Sequence, residues 1–154
     1  EVIRMGGEKC TCGRRGCFEA YASATALVNQ TKRAMQKDKD SLLWKLCAND
    51  LEKVDGKTVF DAKDAGDKTA EKVVRNYIRY LAEGVTNLVN VFRPEAIVLG
   101  GGVCAQGEKL IRPLKRKVNS LAYGGVKYAP VQIVTASLGN DAGLCGAARL
   151  AMLR

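Results

Sequence analysis

Three of the chain's six cysteines fall within eight residues, in Cys10-Thr11-Cys12-Gly13-Arg14-Arg15-Gly16-Cys17. Two glycines separate the last thiol from the first two, so the segment can reverse sharply and gather its sulfurs. Thiolates grouped this tightly on a folded-back loop suit a tetrahedral zinc ion better than three independently packed side chains. A closed structural site takes four ligands, and the chain has no histidine to complete the set. Cys47, Cys104 and Cys145 are scattered singly through helix-like or strand-like sequence. That is the pattern of reduced, buried thiols in a cytoplasmic protein, not of a disulfide framework.

Glu1-Val-Ile-Arg-Met5 reads as the later half of a strand, so the chain is expected to be a fragment of something longer. Its 154 residues suffice for one domain that buries roughly two-thirds of its unfolded surface. No apolar run approaches the roughly 20 residues of a membrane span, and no signal peptide is visible. A net charge of +9 invites a nucleic-acid partner. Yet Lys32, Arg33, Lys37, Lys39, Lys115, Arg116 and Lys117 fall on the polar faces of predicted helices, and solvated faces account for most of the excess. Single-strand binders interleave aromatics with cations, whereas aromatics here are 6% of the chain and lie mostly on core stripes. An anionic nucleotide ligand, or an acidic missing half, accounts for the remainder.

Patterning predicts a strand over 1–5, the cysteine loop over 6–16, and one helix from Cys17 to Gln36 with Phe18, Tyr21, Ala22 and Thr25 on one face. A short helix is expected within 38–50, and another from Thr58 to Ala65, ended by Gly66. The clearest helix runs from Asp67 to Phe92, with Val74, Tyr77, Ile78, Leu81, Val85, Leu88 and Phe92 as its apolar stripe. Asp67 is its N-cap and Pro94 its stop. Gly84 inside it costs about 1 kcal/mol against alanine, which close approach of a neighbouring element would justify.

The grammar then changes. Ala96–Leu99 reads as a strand buried on both faces, followed by Gly100-Gly101-Gly102 and a helix over 107–121. A strand over 131–135 leads through a turn to a last helix over 142–153, capped by Asn140 or Asp141. Gly143, Gly146, Ala147 and Ala148 predict close packing of that helix. Alternating strands and helices define an α/β sheet.

Glycines at the carboxyl end of a buried strand let a phosphate or nucleotide approach the main chain. A tight turn with nothing bound is the alternative. Glu19, two residues past Cys17, stands in the first turn of a helix, where the dipole favours a carboxylate. It is either a helix-start glutamate or an acceptor for sugar hydroxyls.

Cys10-Thr-Cys-Gly-Arg-Arg-Gly-Cys-Phe-Glu19 resembles the zinc signature of the ROK family, a group of sugar kinases and repressors. Glu95-Ala-Ile-Val-Leu-Gly-Gly-Gly102 is similar to its nucleotide-side glycine segment. Leu138-Gly-Asn-Asp-Ala-Gly-Leu144, continuing to Ala148, is similar to its C-terminal signature. The resemblance implies an α/β fold of the actin-like ATPase (ribonuclease H-like) type, with this chain as the C-terminal lobe carrying a zinc-binding loop and long helices. It implies zinc on Cys10, Cys12 and Cys17, with the fourth ligand a histidine upstream of Glu1. It implies Glu19 against sugar hydroxyls, Gly100, Gly101 and Gly102 against the nucleotide, and ATP with Mg²⁺ in a cleft between two lobes. The implied activity is ATP-dependent phosphorylation of glucose. A kinase for another hexose such as N-acetylmannosamine, or a sugar-sensing repressor, are the alternatives. The family's catalytic base is an aspartate of the other lobe, so no aspartate here is assigned that role. The chain alone is expected not to turn over. A homodimer is also implied.

Overall fold

The computed structural model describes residues 1–127 and 130–152. In chain order the elements are α1 (Glu19–Ala22), α2 (Ala24–Lys37), α3 (Leu42–Leu46), α4 (Gly56–Asp64), α5 (Lys68–Phe92), β1 (Ala96–Leu99), α6 (Glu108–Leu121), β2 (Gln132–Thr135) and α7 (Ala142–Met152).

The 25-residue helix α5 is the axis. Its apolar stripe predicts one buried face, and Val74, Tyr77, Ile78, Leu81 and Val85 are buried as that pattern requires. Leu27 and Met35 of α2, Leu43 of α3, Phe60 of α4 and Leu110 and Leu114 of α6 pack into the same core, all essentially without solvent contact. Each large side chain removed from water contributes roughly 1.5–3 kcal/mol before ordering costs are subtracted. Asp67 caps α5 as expected, accepting from the Ala70 N–H at 2.6 Å. At the other end Arg93, just before Pro94, takes a left-handed φ of 47°.

Helices α5 and α6 run in the same direction. Lys109 pairs with Asp64 near their starts, and the Tyr123 N–H donates to the Asn90 side chain at 2.8 Å near their ends. Helix α6 is the crossover between β1 and β2, which pair in parallel with Ala96 opposite Gln132 and Leu99 opposite Thr135. Asn119 on α6 clamps the start of β2, accepting from the Val131 N–H at 3.1 Å and facing its carbonyl at 3.5 Å.

Several expectations are corrected. Residues 1–5 make no strand, only an isolated bridge from Val2 to Cys17, because no described strand lies beside them. The single helix over 17–36 is two helices, α1 and α2, broken at Ser23, whose backbone is extended (φ −77°, ψ 165°). The Ser23 hydroxyl accepts from the Ala26 N–H at 3.0 Å and so starts a new helix. Strand β1 is not buried on both faces: Ala96 and Val98 are exposed. Among the described residues the sheet has two strands, and Val98 and Val134 share its open face. Helix α7 forms but does not pack closely. Leu144 and Leu150 are exposed, and a β-carbon at Gly143 or Gly146 would meet nothing within 4 Å. Of the single cysteines Cys47 is buried, but Cys104 is only half-buried and Cys145 is exposed. The side chain of Asn140, one of the two expected caps, and residue Leu153 lie outside the described residues.

Candidate functional site

The cysteine segment folds as a small two-armed loop. The Cys10 N–H donates to the Arg14 carbonyl at 2.9 Å, the Gly16 N–H to Glu8 at 2.8 Å, and the Ile3 N–H to Gly16 at 2.9 Å. Gly16 is needed twice over. Its φ is 78°, and a β-carbon there would lie 1.7 Å from the Arg4 carbonyl oxygen. The reversal brings the sulfurs of Cys10, Cys12 and Cys17 within 4.8 Å of one another, with Cys12 and Cys17 3.5 Å apart.

A zinc ion at about 2.3 Å from each thiolate needs sulfurs about 3.8 Å apart, so the three thiols fit three corners of a tetrahedron. The donor set is soft and suited to zinc. A fourth donor is not among them: the chain has no histidine, and Glu19 accepts hydrogen bonds from the Cys10 thiol at 3.0 Å and the Thr11 hydroxyl at 3.5 Å. The Cys12 backbone N–H favours the Cys10 thiolate. The Glu19 carboxylate and the neighbouring thiols outweigh it and push Cys10 up to about 11. Cys12 is pulled down, first by the Arg14 backbone N–H and then by the Cys10 and Cys17 thiols.

Helix α1 carries Glu19 out of this loop, and the core fixes its direction. Tyr21 is buried, its hydroxyl accepts from the Glu8 N–H at 2.7 Å, and its ring lies 4.6 Å from that of Tyr80 on α5. Phe18 lies against Gly84. This is the close approach that the helix-interior glycine predicts. The break at Ser23 frees two carbonyls, and both are used. Gln30 donates to Tyr21 at 2.9 Å, and the Tyr77 hydroxyl donates to Ala22 at 2.8 Å. Glu19 itself is exposed.

Gly100, Gly101 and Gly102 leave β1 as a turn that runs into a short 3₁₀ segment, Gly102–Gln106. Gly101 has a φ of 98°, which demands glycine. A β-carbon on any of the three would meet nothing within 4 Å, so packing within the chain does not explain their bareness. Two small cavities flank the turn. One of about 150 Å³ lies between it and Ala22, Ser23 and Tyr77. The other, about 280 Å³, lies towards Thr135, Ala136 and Ser137. The segment carrying Glu19 and the glycine turn therefore converge on Tyr77. Sequence patterning puts Tyr77 on a core stripe and Cys104 among the single buried thiols, and gives neither of them, nor Ser23, a place at a site. The Ser23–Ala26 capping pattern was the available signal for the break.

A parallel strand pair with a bare glycine turn, set on helices, is a mixed α/β fold, and the solved structures it resembles include sugar kinases of the actin-like ATPase class. The chain belongs to the ROK family, whose model matches residues 2–153. It is 37% identical over 149 residues to a glucokinase of Thermotoga maritima, covering 97% of this chain and 46% of that protein. It is 30% identical over 147 residues to a xylose repressor of Bacillus spizizenii, covering 94% of this chain and 33% of that one. A crystal structure of a ROK family glucokinase from Streptomyces griseus in complex with glucose and AMPPNP superposes with a TM-score of 0.87 at 32% identity, over 97% of this chain and 49% of the other. The chain spans about half the length of the glucokinases it matches. No described helix is long and apolar enough to cross a membrane.

Proposed function

We propose that this chain is the C-terminal lobe of a cytoplasmic, ATP-dependent glucokinase that converts glucose to glucose 6-phosphate and acts as a homodimer. The carrying observation is its superposition, over nearly its whole length, on a glucokinase bound to glucose and AMPPNP. In this assignment Glu19 accepts hydrogen bonds from sugar hydroxyls. Its exposure, and its placement by Tyr21 and Phe18 on α5, suit that role. Gly100, Gly101 and Gly102 lie along the nucleotide, into the space their missing side chains leave open. ATP bound along this turn would supply the phosphoryl group, and Mg²⁺ with it would neutralise the phosphate charge. The lobe's part is to orient sugar and nucleotide, and no residue of this chain is assigned the proton-accepting base. Cys10, Cys12 and Cys17 hold a structural zinc that braces the loop ahead of Glu19.

Calorimetric titration with glucose tests the assignment. The chain should bind glucose weakly, and Glu19→Gln should remove that binding while leaving the thermal melt unchanged. Glucose bound equally by wild type and Glu19→Gln would sink the sugar-contact role. Release of glucose 6-phosphate by the 154-residue chain alone would show that the remaining half of the relatives is not needed for turnover.

A second assignment, the sugar-sensing lobe of a ROK repressor, is favoured by the similarity to the xylose repressor. Xylose bound more tightly than glucose in the same titration would select it.

A further inference from the structure

The groove between α5 and α6 is crowded with positive charge. Lys63, Arg75 and Arg79 and, from α6, Lys109, Arg112, Arg116 and Lys117 line an open cleft of about 820 Å³, against two carboxylates, Glu71 and Glu108. That volume falls within the range of small-molecule sites, roughly 300–1,000 Å³. Lys109 pairs with Asp64, and Arg75 lies 3.8 Å from Glu71. Arg79, Arg112, Arg116 and Lys117 have no ion-pair partner among the described residues. The floor is apolar, formed by buried Val74 and Ile78 with Pro113, and Asn76 and Ser120 add neutral hydrogen-bonding groups at the wall.

The spacing carries the inference. Arg75 and Arg79 stand one turn apart, as do Arg112 and Arg116, so each pair is separated by about 6 Å along its helix. All four guanidinium groups line the one groove, so the charge of both helices faces the same space. Like charges one turn apart repel. A ligand with one anionic group offsets part of this charge, whereas one with two or more phosphates can engage guanidinium groups of both helices. Guanidinium forks bind phosphate oxygens two at a time, and the apolar floor can seat a carbon framework. No aromatic side chain lines the groove, so stacking of nucleic-acid bases has no platform there.

We propose that the α5–α6 groove is a binding site for a small organic polyphosphate, separate from the glycine turn. None of the residues lining the two cavities at Gly100–Gly102 lines this groove.

The test is calorimetric titration of the 154-residue chain with inorganic triphosphate, with orthophosphate as the singly anchored comparison. Triphosphate should bind at one saturable site, at least about tenfold more tightly than orthophosphate. The triple variant Arg79→Gln, Arg112→Gln, Arg116→Gln should weaken it by about tenfold or more. A second triple variant, Lys45→Gln, Lys127→Gln, Arg149→Gln, removes the same charge from exposed positions elsewhere and should leave the affinity unchanged. All six residues are exposed or outside the core, and a thermal melt verifies that both variants fold. Equal weakening in both triples would reduce the effect to net charge and overturn the proposal. Binding unaffected by the groove triple would place triphosphate elsewhere and also overturn it. So would the absence of saturable binding. A short DNA duplex that displaces triphosphate at matched phosphate concentration would reassign the groove to a polymer.

Discussion

The ring of Phe18 occupies the space that a side chain at Gly84 would need: a β-carbon there would lie 2.4 Å from its edge. Phe18 stands between the last loop cysteine and Glu19, while Gly84 sits inside α5. One contact thus joins the candidate site to the core axis.

Gly84→Ala therefore runs against helix propensity. In an open helix it would stabilise by about 1 kcal/mol. Here the ring must shift, and overpacking of this kind costs about 1–3 kcal/mol. Urea denaturation should show a net loss. Phe18→Leu in the same chain should recover part of it by relieving the clash. A midpoint that rises in Gly84→Ala alone would mean that the ring moves freely.

Asp67 serves two helices. One carboxylate oxygen accepts from the Ala70 N–H at 2.6 Å and caps α5. The other accepts from the Leu42 N–H at 2.7 Å and the Ser41 hydroxyl at 2.9 Å at the start of α3. A single cap is worth about 1 kcal/mol. Asp67→Ala should cost about 2–3 kcal/mol, because donors at both helix starts lose their acceptor. Asp67→Asn should keep part of that. A loss confined to about 1 kcal/mol in chemical denaturation would show that α3 does not depend on the shared carboxylate.

Local rules made Asp67 and Gly84 readable: an acidic residue before a periodic apolar run, and a glycine where the stripe gives no local reason for one. The thiol loop was readable for the same reason, since its spacing alone gathers the sulfurs. What escaped depends on partners distant in sequence. The break at Ser23 interrupts no apolar period, and it is held by Tyr77, which lies 55 residues from Ala22. Ala96–Leu99 has the composition of a strand covered on both faces, but composition does not count the neighbours a strand has in this chain. The small residues of α7 announce a close neighbour, yet a β-carbon at Gly143 or Gly146 would meet nothing within 4 Å.

The hydroxyl of Tyr77 gives the fold an alkaline dependence. Burial, helped by the Cys104 thiolate charge, raises its pKa from 10.0 to about 12. A raised folded pKa means that this stabilisation is complete below the unfolded value near 10 and is lost as pH rises through about 12. Two units correspond to about 3 kcal/mol at most. Tyr77→Phe removes the titration together with the bond to Ala22, worth about 1 kcal/mol near neutrality. The variant should be less stable than wild type at pH about 9, and the gap should narrow or reverse between pH about 10 and 12. Denaturation midpoints across that range decide it. A gap constant with pH would show that the hydroxyl does not ionise there.

The thiol loop makes the most direct prediction about a metal. Three sulfurs within 4.8 Å supply three of four tetrahedral positions, so zinc taken up under reducing conditions should approach one per chain. Its affinity should fall below that of a closed four-ligand site, for which binding contributes about 10–16 kcal/mol in small peptides. Cys12→Ser or Cys17→Ser should weaken uptake by about tenfold or more, since each removes one corner. Cys47→Ser is the control: that thiol is buried in the core and donates to the Trp44 carbonyl at 3.5 Å, away from the loop. Cobalt substitution adds a second readout, because the intensity of its thiolate charge-transfer band counts the sulfurs bound and should drop by about a third in either loop variant. Equal loss in Cys47→Ser would trace the effect to general unfolding. If wild type took up no zinc at all, the loop would be a brace made by Tyr21, Gly16 and the backbone bonds alone.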